Sequence, residues 1–308
     1  MPSFYSDGLQ FNYAIRGEGT YTFFFQHGIG GAIAQPLRFL LSADGRDGDS
    51  QAQPFRLALF DFRAHGRTPL GDPKKLRIDQ FADDLIAFMD HLETDHAVLG
   101  GISMGAAVAL NAAARYPQRC LGLVLSRPAW LNGSMSTAAV AAYTEAARLL
   151  EDNSSAESAL QQLQMSGIYR LITATSADAG KSLLGQVRCV VSDPSLREAA
   201  IARLRSLPMG QSGLDLITAS GINVPTLIMA TPDDPIHPPG FAEAFAGAIP
   251  RASLAKLAPK EVNDAPHIAE VNSHIVRFLD SLSINDRVES LTSNARVRYA
   301  GYALQRLG

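Results

Sequence analysis

Ser103 is the one hydroxyl-bearing residue in an apolar stretch, V-L-G-G-I-S-M-G-A-A-V-A-L (98–110), and glycines stand two residues before and two after it. The residues before it are typical of a buried strand and those after it of a helix, so the serine falls at a tight strand-to-helix turn. Such a turn strains the backbone, and side chains at the flanking positions would collide there. At the first turn of a helix, unpaired N–H groups favour developing negative charge. The pattern therefore predicts a nucleophile at Ser103, with a helix-capping serine as the alternative.

A serine nucleophile needs a base, usually histidine, and a carboxylate that orients the base. In this strand-to-helix topology the partners follow in the order serine, acid, histidine. Two downstream stretches meet that order, P-D-D-P-I-H-P (232–238) after one apolar strand and D-A-P-H-I-A-E-V (264–271) after the next. His237 follows the acid by three residues in a proline-rich loop, and we expect it to pack or to line the rim of the site rather than act as the base.

A glycine-rich turn, H-G-I-G-G (27–31), comes directly after another apolar strand. Backbone N–H groups in such a turn can face the nucleophile as an oxyanion hole. The turn does not continue as a dinucleotide-binding G-x-G-x-x-G, because Ile33 stands where a third glycine or an alanine is needed. We therefore predict no cofactor, and expect His27 to fix the turn rather than to catalyse.

The histidines near the end of the last stretch invite a metal-site interpretation, since His267, Glu270 and His274 share one face if the segment is helical. Seven helical residues separate the two histidines by ~10 Å, which is too far for one ion. We predict no metal and place His274 at the surface. The two cysteines, Cys120 and Cys189, lack metal-ligand spacing and are expected to be buried, inert thiols.

Apolar strand-like runs alternate with helical patterns along most of the chain, which predicts a parallel sheet wound by right-handed crossovers. The predicted strands lie at 20–26, 54–62, 96–103, 120–126 and 224–231, and the helices between them at 35–43, 78–93 and 105–117. The alternating segment 8–19 is expected to add an antiparallel edge strand. The fold class is therefore α/β, with a mostly parallel central sheet flanked by helices.

The pattern becomes purely helical from residue 132 to about 217 before a strand resumes. We predict a core of residues 1–131 and 218–282, a helical lid over 132–217, and a helical extension over 283–308 that packs on the core or mediates a homodimer. Arg127 and Trp130 follow the carboxyl end of a predicted strand, where open α/β sheets bind ligands. We predict substrate contact for both, with a salt bridge and lid packing as the alternatives.

These motifs, in this order, resemble those of the lid-bearing α/β-hydrolases, a group of serine esterases, lactonases and C–C bond hydrolases. The resemblance covers residues 9–131 and 220–282 and rests on H-G-I-G-G, D-F-R-A-H-G-R-T (61–68), G-I-S-M-G, D-D-P-I-H-P and the stretch 267–279. It implies the α/β-hydrolase fold with an inserted helical lid.

Carried over by position, the resemblance implies Ser103 as nucleophile, Asp234 as acid and His267 as base. It implies the N–H groups of Ile29 and Met104 as the oxyanion hole. The D-x-x-x-P pattern of the family selects Asp234 over the neighbouring Asp233.

Charge and composition narrow the partners: the 308-residue chain has a formal net charge of -3 and no long basic run, which disfavours nucleic acid. Without a signal-like or membrane-length apolar segment, we expect a cytoplasmic protein that binds no membrane. The sequence predicts a cofactor-free serine hydrolase that cleaves a small ester, lactone, thioester or C–C bond through an acyl-enzyme. The alternatives are an acyltransferase or perhydrolase with the same triad, and a ligand receptor with little turnover.

Overall fold

The computed structural model describes residues 1–40, 55–259 and 264–282, and in these the strands form one eight-stranded sheet. The strands are β1 (Ser3–Ser6), β2 (Leu9–Arg16), β3 (Tyr21–Gln26), β4 (Phe55–Phe60), β5 (Ala97–Ile102), β6 (Cys120–Ser126), β7 (Thr226–Ala230) and β8 (Ala252–Lys256). Their order across the sheet is β1-β2-β4-β3-β5-β6-β7-β8. All pairings from β4 to β8 are parallel, while β1–β2 and β2–β4 are antiparallel.

The predicted central strands are confirmed to within two residues at each end, because their continuous apolar runs are buried on both faces of the sheet. The alternating segment 8–19 forms β2, whose exposed and buried positions alternate at its start. The prediction that β2 is the edge is wrong. Four residues before it, Ser3–Ser6, pair outside it as β1 and form the edge of the sheet.

Helices cover both faces of the sheet. They are α1 (Ala34–Leu40), α2 (Ile78–His91), α3 (Met104–Arg115), α10 (Pro239–Ala248) and α11 (Ala265–Ser281). One buried apolar cluster joins α2, α3 and α10 to one face, and a second joins α1 and α11 to the other. The result is a three-layer α/β architecture, as predicted.

Six helices lie between β6 and β7: α4 (Thr137–Asp152), α5 (Ala156–Met165), α6 (Gly167–Thr175), α7 (Ala177–Ser192), α8 (Arg197–Ser206) and α9 (Leu216–Ser220). Serines cap the first four, each hydroxyl accepting from the backbone N–H three residues on. The sequence predicts a purely helical segment here, and the structure divides that segment into these six helices. We call residues 132–217 the helical insertion.

The predicted extension 283–308 and the end of the predicted helix 35–43 lie outside the described residues. Within the described ranges, no helix is long and apolar enough to cross a membrane. Nor do three or more His, Cys, Asp or Glu side chains in those ranges come together in a way that could hold a metal ion.

Candidate functional site

Ser103 lies between the last residue of β5 and the first of α3, with φ 55° and ψ −106°. Glycine is required at both flanking positions, 101 and 105, because backbone atoms lie too close to leave room for a side chain. A Cβ added at Gly101 would lie 2.4 Å from the carbonyl carbon of Gly105, and one added at Gly105 would lie 2.4 Å from the carbonyl oxygen of Gln26. The strained, tightly packed turn holds the hydroxyl at the carboxyl edge of the sheet, as the sequence predicts for a nucleophile.

A chain of two hydrogen bonds joins this hydroxyl to a carboxylate through an imidazole. The Nε2 atom of His237 lies 2.9 Å from Oγ of Ser103, and its Nδ1 atom lies 2.8 Å from Oδ2 of Asp234. All three side chains are buried. Because the carboxylate accepts a hydrogen bond from the Nδ1–H group, the neutral form of the ring has Nε2 left as an acceptor for the serine O–H.

The loop after β7 folds back on itself. This brings the side chain of His237 to that of Asp234, three residues earlier in the chain. Oδ1 of Asp234 accepts hydrogen bonds from the backbone N–H groups of Ile236 and His237, both at 3.0 Å. This is an Asx-type turn, which aspartate favours. It turns the His237 ring towards the other carboxylate oxygen. The neighbouring Asp233 is exposed and has φ 52°.

His267 does not lie where sequence analysis placed it, beside Ser103. It is the third residue of α11, is buried, and has its Nδ1 atom 3.3 Å from the carbonyl oxygen of Ala258, just after β8. Its backbone belongs to the helix, so its direction is set by the face that α11 packs on the sheet. The structure therefore corrects two expectations: His237 partners the serine, and His267 is bound to the segment after β8.

The carboxyl group of Asp234 is held in its charged form. Burial acts to raise its pKa, but the charge and hydrogen bond of His237 and the charge of Arg127 outweigh burial and lower the pKa below its usual value. Nη1 of Arg127 lies 3.8 Å from Oδ2 of Asp234 and 3.1 Å from Oδ2 of Asp178 on α7. An ionised Asp234 is what an orienting carboxylate requires.

The two residues predicted to contact substrate have protein partners in this structure. Arg127, with φ 51°, forms the ion pair that was the alternative. Trp130 is buried, and its indole N–H donates to the carbonyl oxygen of Gly210 at 3.1 Å. Contact of either side chain with substrate stays a prediction.

Replacing Arg127 by methionine should lower kcat/KM about ten-fold, since two nearby carboxylates, Asp178 and Asp234, then lose a shared cation. Adding Asp178→Asn to this variant removes one of the two uncompensated charges and should restore part of the lost kcat/KM. Steady-state kinetics of the single and double variants measure this coupling. An Arg127→Met enzyme with unchanged kcat/KM would contradict the role of the ion pair.

The turn after β3 is fixed from several sides. The carbonyl oxygen of Gly28 accepts from Nδ1 of His27 at 2.9 Å and from the N–H of Gly31 at 3.0 Å. In a trans peptide the N–H points opposite to the carbonyl, so the N–H of Ile29 is directed away from these donors. A Cβ added at Gly28 would lie 3.3 Å from Cβ of Ser103, so the turn lies against this residue.

His27 has the structural role expected of it. Its Nε2 atom accepts from the N–H of Phe62 at 3.1 Å while its Nδ1 atom donates to Gly28. Burial lowers the pKa of this imidazole, so the ring is neutral. Met104 begins α3, and the first N–H groups of a helix have no acceptor within it. The assignment of Ile29 and Met104 to an oxyanion hole stays a prediction.

The polar residues of the loop 61–68 are paired with one another and with the scaffold. Asp61 accepts from the N–H groups of Ile33 and Arg67 at 2.9 and 3.0 Å. Arg63 makes two 2.7 Å hydrogen bonds to the buried carboxylate of Asp84. The structure thus favours internal pairing of these side chains over contact with a substrate.

The helical insertion packs on the loops around Ser103. The Ser136 hydroxyl donates to the carbonyl oxygen of Pro235 in the loop that carries the acid, at 2.7 Å. Arg203 on α8 is buried and donates to the carbonyl oxygen of Ala64 at 2.8 Å. Its Nη2 atom also lies 3.2 Å from Sγ of Cys189, which is half-buried. The expectation that Cys189 is buried is therefore wrong, since its thiol is half-buried and contacts a guanidinium group.

The expectation of a buried, inert thiol does describe Cys120. This residue is buried, and burial raises the pKa of its thiol to about 12.

The model of the family described as alpha/beta hydrolase fold matches residues 21–270. That range includes the sheet from β3 to β8, the nucleophile turn and the loop after β7. The chain therefore belongs to the alpha/beta hydrolase fold family.

The first curated relatives match less than half of this chain. The chain is 30% identical over 141 residues to the dihydrolipoyllysine-residue acetyltransferase component of an acetoin cleaving system from Cupriavidus necator, a match of 45% of this chain and 34% of that protein. It thus spans only about a third of the length of the first curated relatives it matches.

Two solved structures share the fold over most of their length. An enol-lactonase from Burkholderia xenovorans LB400 superposes with a TM-score of 0.66 at 20% identity, covering 91% of this chain and 100% of that one. A meta-cleavage product hydrolase from Pseudomonas fluorescens IP01 gives 0.69 at 19% identity, covering 91% and 97%.

Proposed function

We propose that this protein is a serine hydrolase that cleaves a small carbonyl substrate, an ester, lactone, thioester or C–C bond, through an acyl-enzyme. The observation that carries the proposal is the continuous hydrogen-bonded chain from Ser103 through His237 to Asp234. It joins a hydroxyl, an imidazole and an ionised carboxylate in the order that general-base activation of a serine requires. Membership of the alpha/beta hydrolase fold family supports the same class of reaction.

The reaction begins when Oγ of Ser103 attacks the substrate carbonyl carbon and Nε2 of His237 takes the hydroxyl proton. The carbonyl π pair moves to oxygen, and the N–H groups of Ile29 and Met104 stabilise that charge. The oxyanion collapses, the leaving group takes the proton from His237, and Ser103 is left acylated. Water then attacks the acyl group by the same route, and its proton returns through His237 to Ser103.

The insertion has a place in this proposal as a lid over the site. Its contacts with the acid loop through Ser136 and with Arg127 through Asp178 support that role. Substrate then enters when α7 and its neighbours move away from the sheet edge. The named activities of the two structural neighbours, an enol-lactonase and a meta-cleavage product hydrolase, are consistent with a small carbonyl substrate.

Asp234→Asn should reduce turnover ~10⁴-fold, because an amide cannot hold His237 in its productive tautomer or stabilise the imidazolium. Asp233→Asn is the matched control. That carboxylate is exposed and one residue away, so its loss should change turnover by less than about two-fold. Both variants are measured on one ester substrate. An inactive Asp233→Asn beside an active Asp234→Asn would overturn the assignment of the acid.

The reaction itself is tested by a screen of short p-nitrophenyl esters, lactones and thioesters with Ser103→Ala as the control. Multiple turnover by the wild type and none by the variant supports the hydrolase. Saturable binding of a substrate with no turnover in either would favour the ligand receptor instead.

Acyl transfer is the second candidate, and the match to part of an acetyltransferase component favours it. In this variant of the mechanism an alcohol, amine, thiol or peroxide takes the place of water at the acyl-enzyme. Adding such acceptors to an ester assay separates the two outcomes. A transferase forms the transfer product at acceptor concentrations far below that of water, whereas a hydrolase releases the free acid.

A further inference from the structure

Gln186, on α7 of the helical insertion, reaches the turn that follows β3. Its side chain is buried, with 3% of the residue exposed, and its Nε2 atom donates to the carbonyl oxygen of Ile29 at 3.0 Å. The two residues are 157 positions apart in the chain. A single hydrogen bond therefore connects the insertion to the turn whose Ile29 N–H is proposed to hold the oxyanion.

The turn has two possible forms, and this hydrogen bond is available in one of them. The Gly31 N–H donates to the Gly28 carbonyl, so Ile29 and Gly30 are the central residues. Gly30 has φ +71°, as a type II turn requires at its third position. Types I and II differ by a flip of the central peptide, and glycine at this position permits both. Flipping that peptide turns the Ile29 carbonyl away from Gln186.

The amide of Gln186 is fixed in its orientation. Its Nε2 atom faces a carbonyl oxygen, so exchanging its nitrogen and oxygen would bring two acceptors together. Packing is tight on the other side, where a Cβ added at Gly30 would lie 2.1 Å from Oε1 of Gln186. The structure therefore holds one arrangement of the amide and one of the turn.

Stability alone does not explain a glutamine here. Oε1 of Gln186 is buried and has no hydrogen-bond partner among the described residues. A buried, unsatisfied acceptor is destabilising, and an apolar side chain of the same size would fill the position without that penalty. What an apolar side chain lacks is the donor to Ile29.

We infer that Gln186 is a positioning residue for the oxyanion hole, one that locks the central peptide of the turn at Ile29 and Gly30. The inference rests on the proposed function. With the insertion docked, the hydrogen bond from Gln186 holds the Ile29–Gly30 peptide as seen here and so fixes the position of Ile29, while the direction of its N–H is set by the preceding peptide. When α7 moves away, the turn is released, so opening of the insertion and loss of the oxyanion hole are coupled.

Gln186→Leu tests this role because leucine fills the space but donates no hydrogen bond. We expect kcat to fall ten- to a hundred-fold, KM to stay within two-fold, and the thermal midpoint to be equal or higher. Phenylboronic acid, whose adduct with Ser103 places an oxygen in the oxyanion hole, should inhibit the variant more weakly by a similar factor. Lys181→Leu, at an exposed position of the same helix, is the matched control and should change neither value.

A second variant guards against misfolding. Gln186→Met keeps the length of the side chain, buries no charge and has no hydrogen-bond donor, so kcat should fall here too. Full kcat in Gln186→Leu, or a lower kcat with unchanged boronate inhibition, would overturn the positioning role. A wild-type protein with neither turnover nor labelling of Ser103 by a fluorophosphonate would instead overturn the proposed hydrolase, and the role of Gln186 with it.

Discussion

His237→Gln should lower kcat by roughly 10⁴- to 10⁶-fold, because the serine hydroxyl then has no base to take its proton. Glutamine keeps a hydrogen-bonding side chain in the loop, so the fold should persist. Nε2 of His237 lies 2.9 Å from the serine oxygen, within the distance for direct proton transfer. Steady-state kinetics on the best ester of the screen measure the loss.

The matched control for that variant is His267→Gln. His267 is buried too, but its Nδ1 atom lies 3.3 Å from the carbonyl oxygen of Ala258, and the change should cost less than about ten-fold in kcat. Circular dichroism and the thermal midpoint of both variants separate lost folding from lost chemistry. If His267→Gln is the inactive protein and His237→Gln keeps its rate, the base is His267 and the arrangement described here is not the working one.

Ser103→Ala should remove turnover by a similar factor, about 10⁶-fold, since the serine and its base act as one unit. The double variant Ser103→Ala, His237→Gln should therefore be little worse than either single variant. Additive losses would mean that the two side chains act in separate steps. The midpoint of thermal unfolding should change by only a few degrees, because the substitution removes one hydroxyl and leaves the glycine-flanked turn intact.

The sequence is sufficient to predict the central strands of the sheet and the tight turn at Ser103. Continuous apolar runs mark strands buried on both faces, and β5 and β6 lie where those runs predict them. Glycines at 101 and 105 predict the close approach that the structure contains. Both signals lie within short stretches of the sequence, although the contact that requires glycine at 105 is made with Gln26 on β3.

The base could not be found in the same way. The reach of His237 depends on a turn in which the Asp234 carboxylate binds the N–H groups two and three residues on. The stretch D-P-I-H (234–237) is compatible with such a turn, but three residues of a proline-rich loop favour a histidine that packs or lines the rim of the site. The direction of the His267 side chain depends on the residue at which α11 begins. Helix boundaries are poorly determined by sequence, so this direction could not be predicted.

Residues of the insertion were the least predictable. Helix α7 contains Gly180 and Gly185, which weaken its helical pattern, and its role depends on contacts more than a hundred residues away. Gln186 stands in no motif. Its contact with Ile29 follows from how α7 packs over the sheet edge, and periodicity carries no information about that packing.

The most direct test of the central claim, that His237 activates Ser103, is the rate at which a fluorophosphonate labels the protein, with the labelled residue identified by mass spectrometry. Labelling needs an activated serine but no knowledge of the substrate. We expect labelling at Ser103 alone, at nearly the same rate in the wild type and in His267→Gln, and at least a hundred-fold slower in His237→Gln. Fast labelling of His237→Gln together with slow labelling of His267→Gln, or labelling at another serine, would contradict the claim.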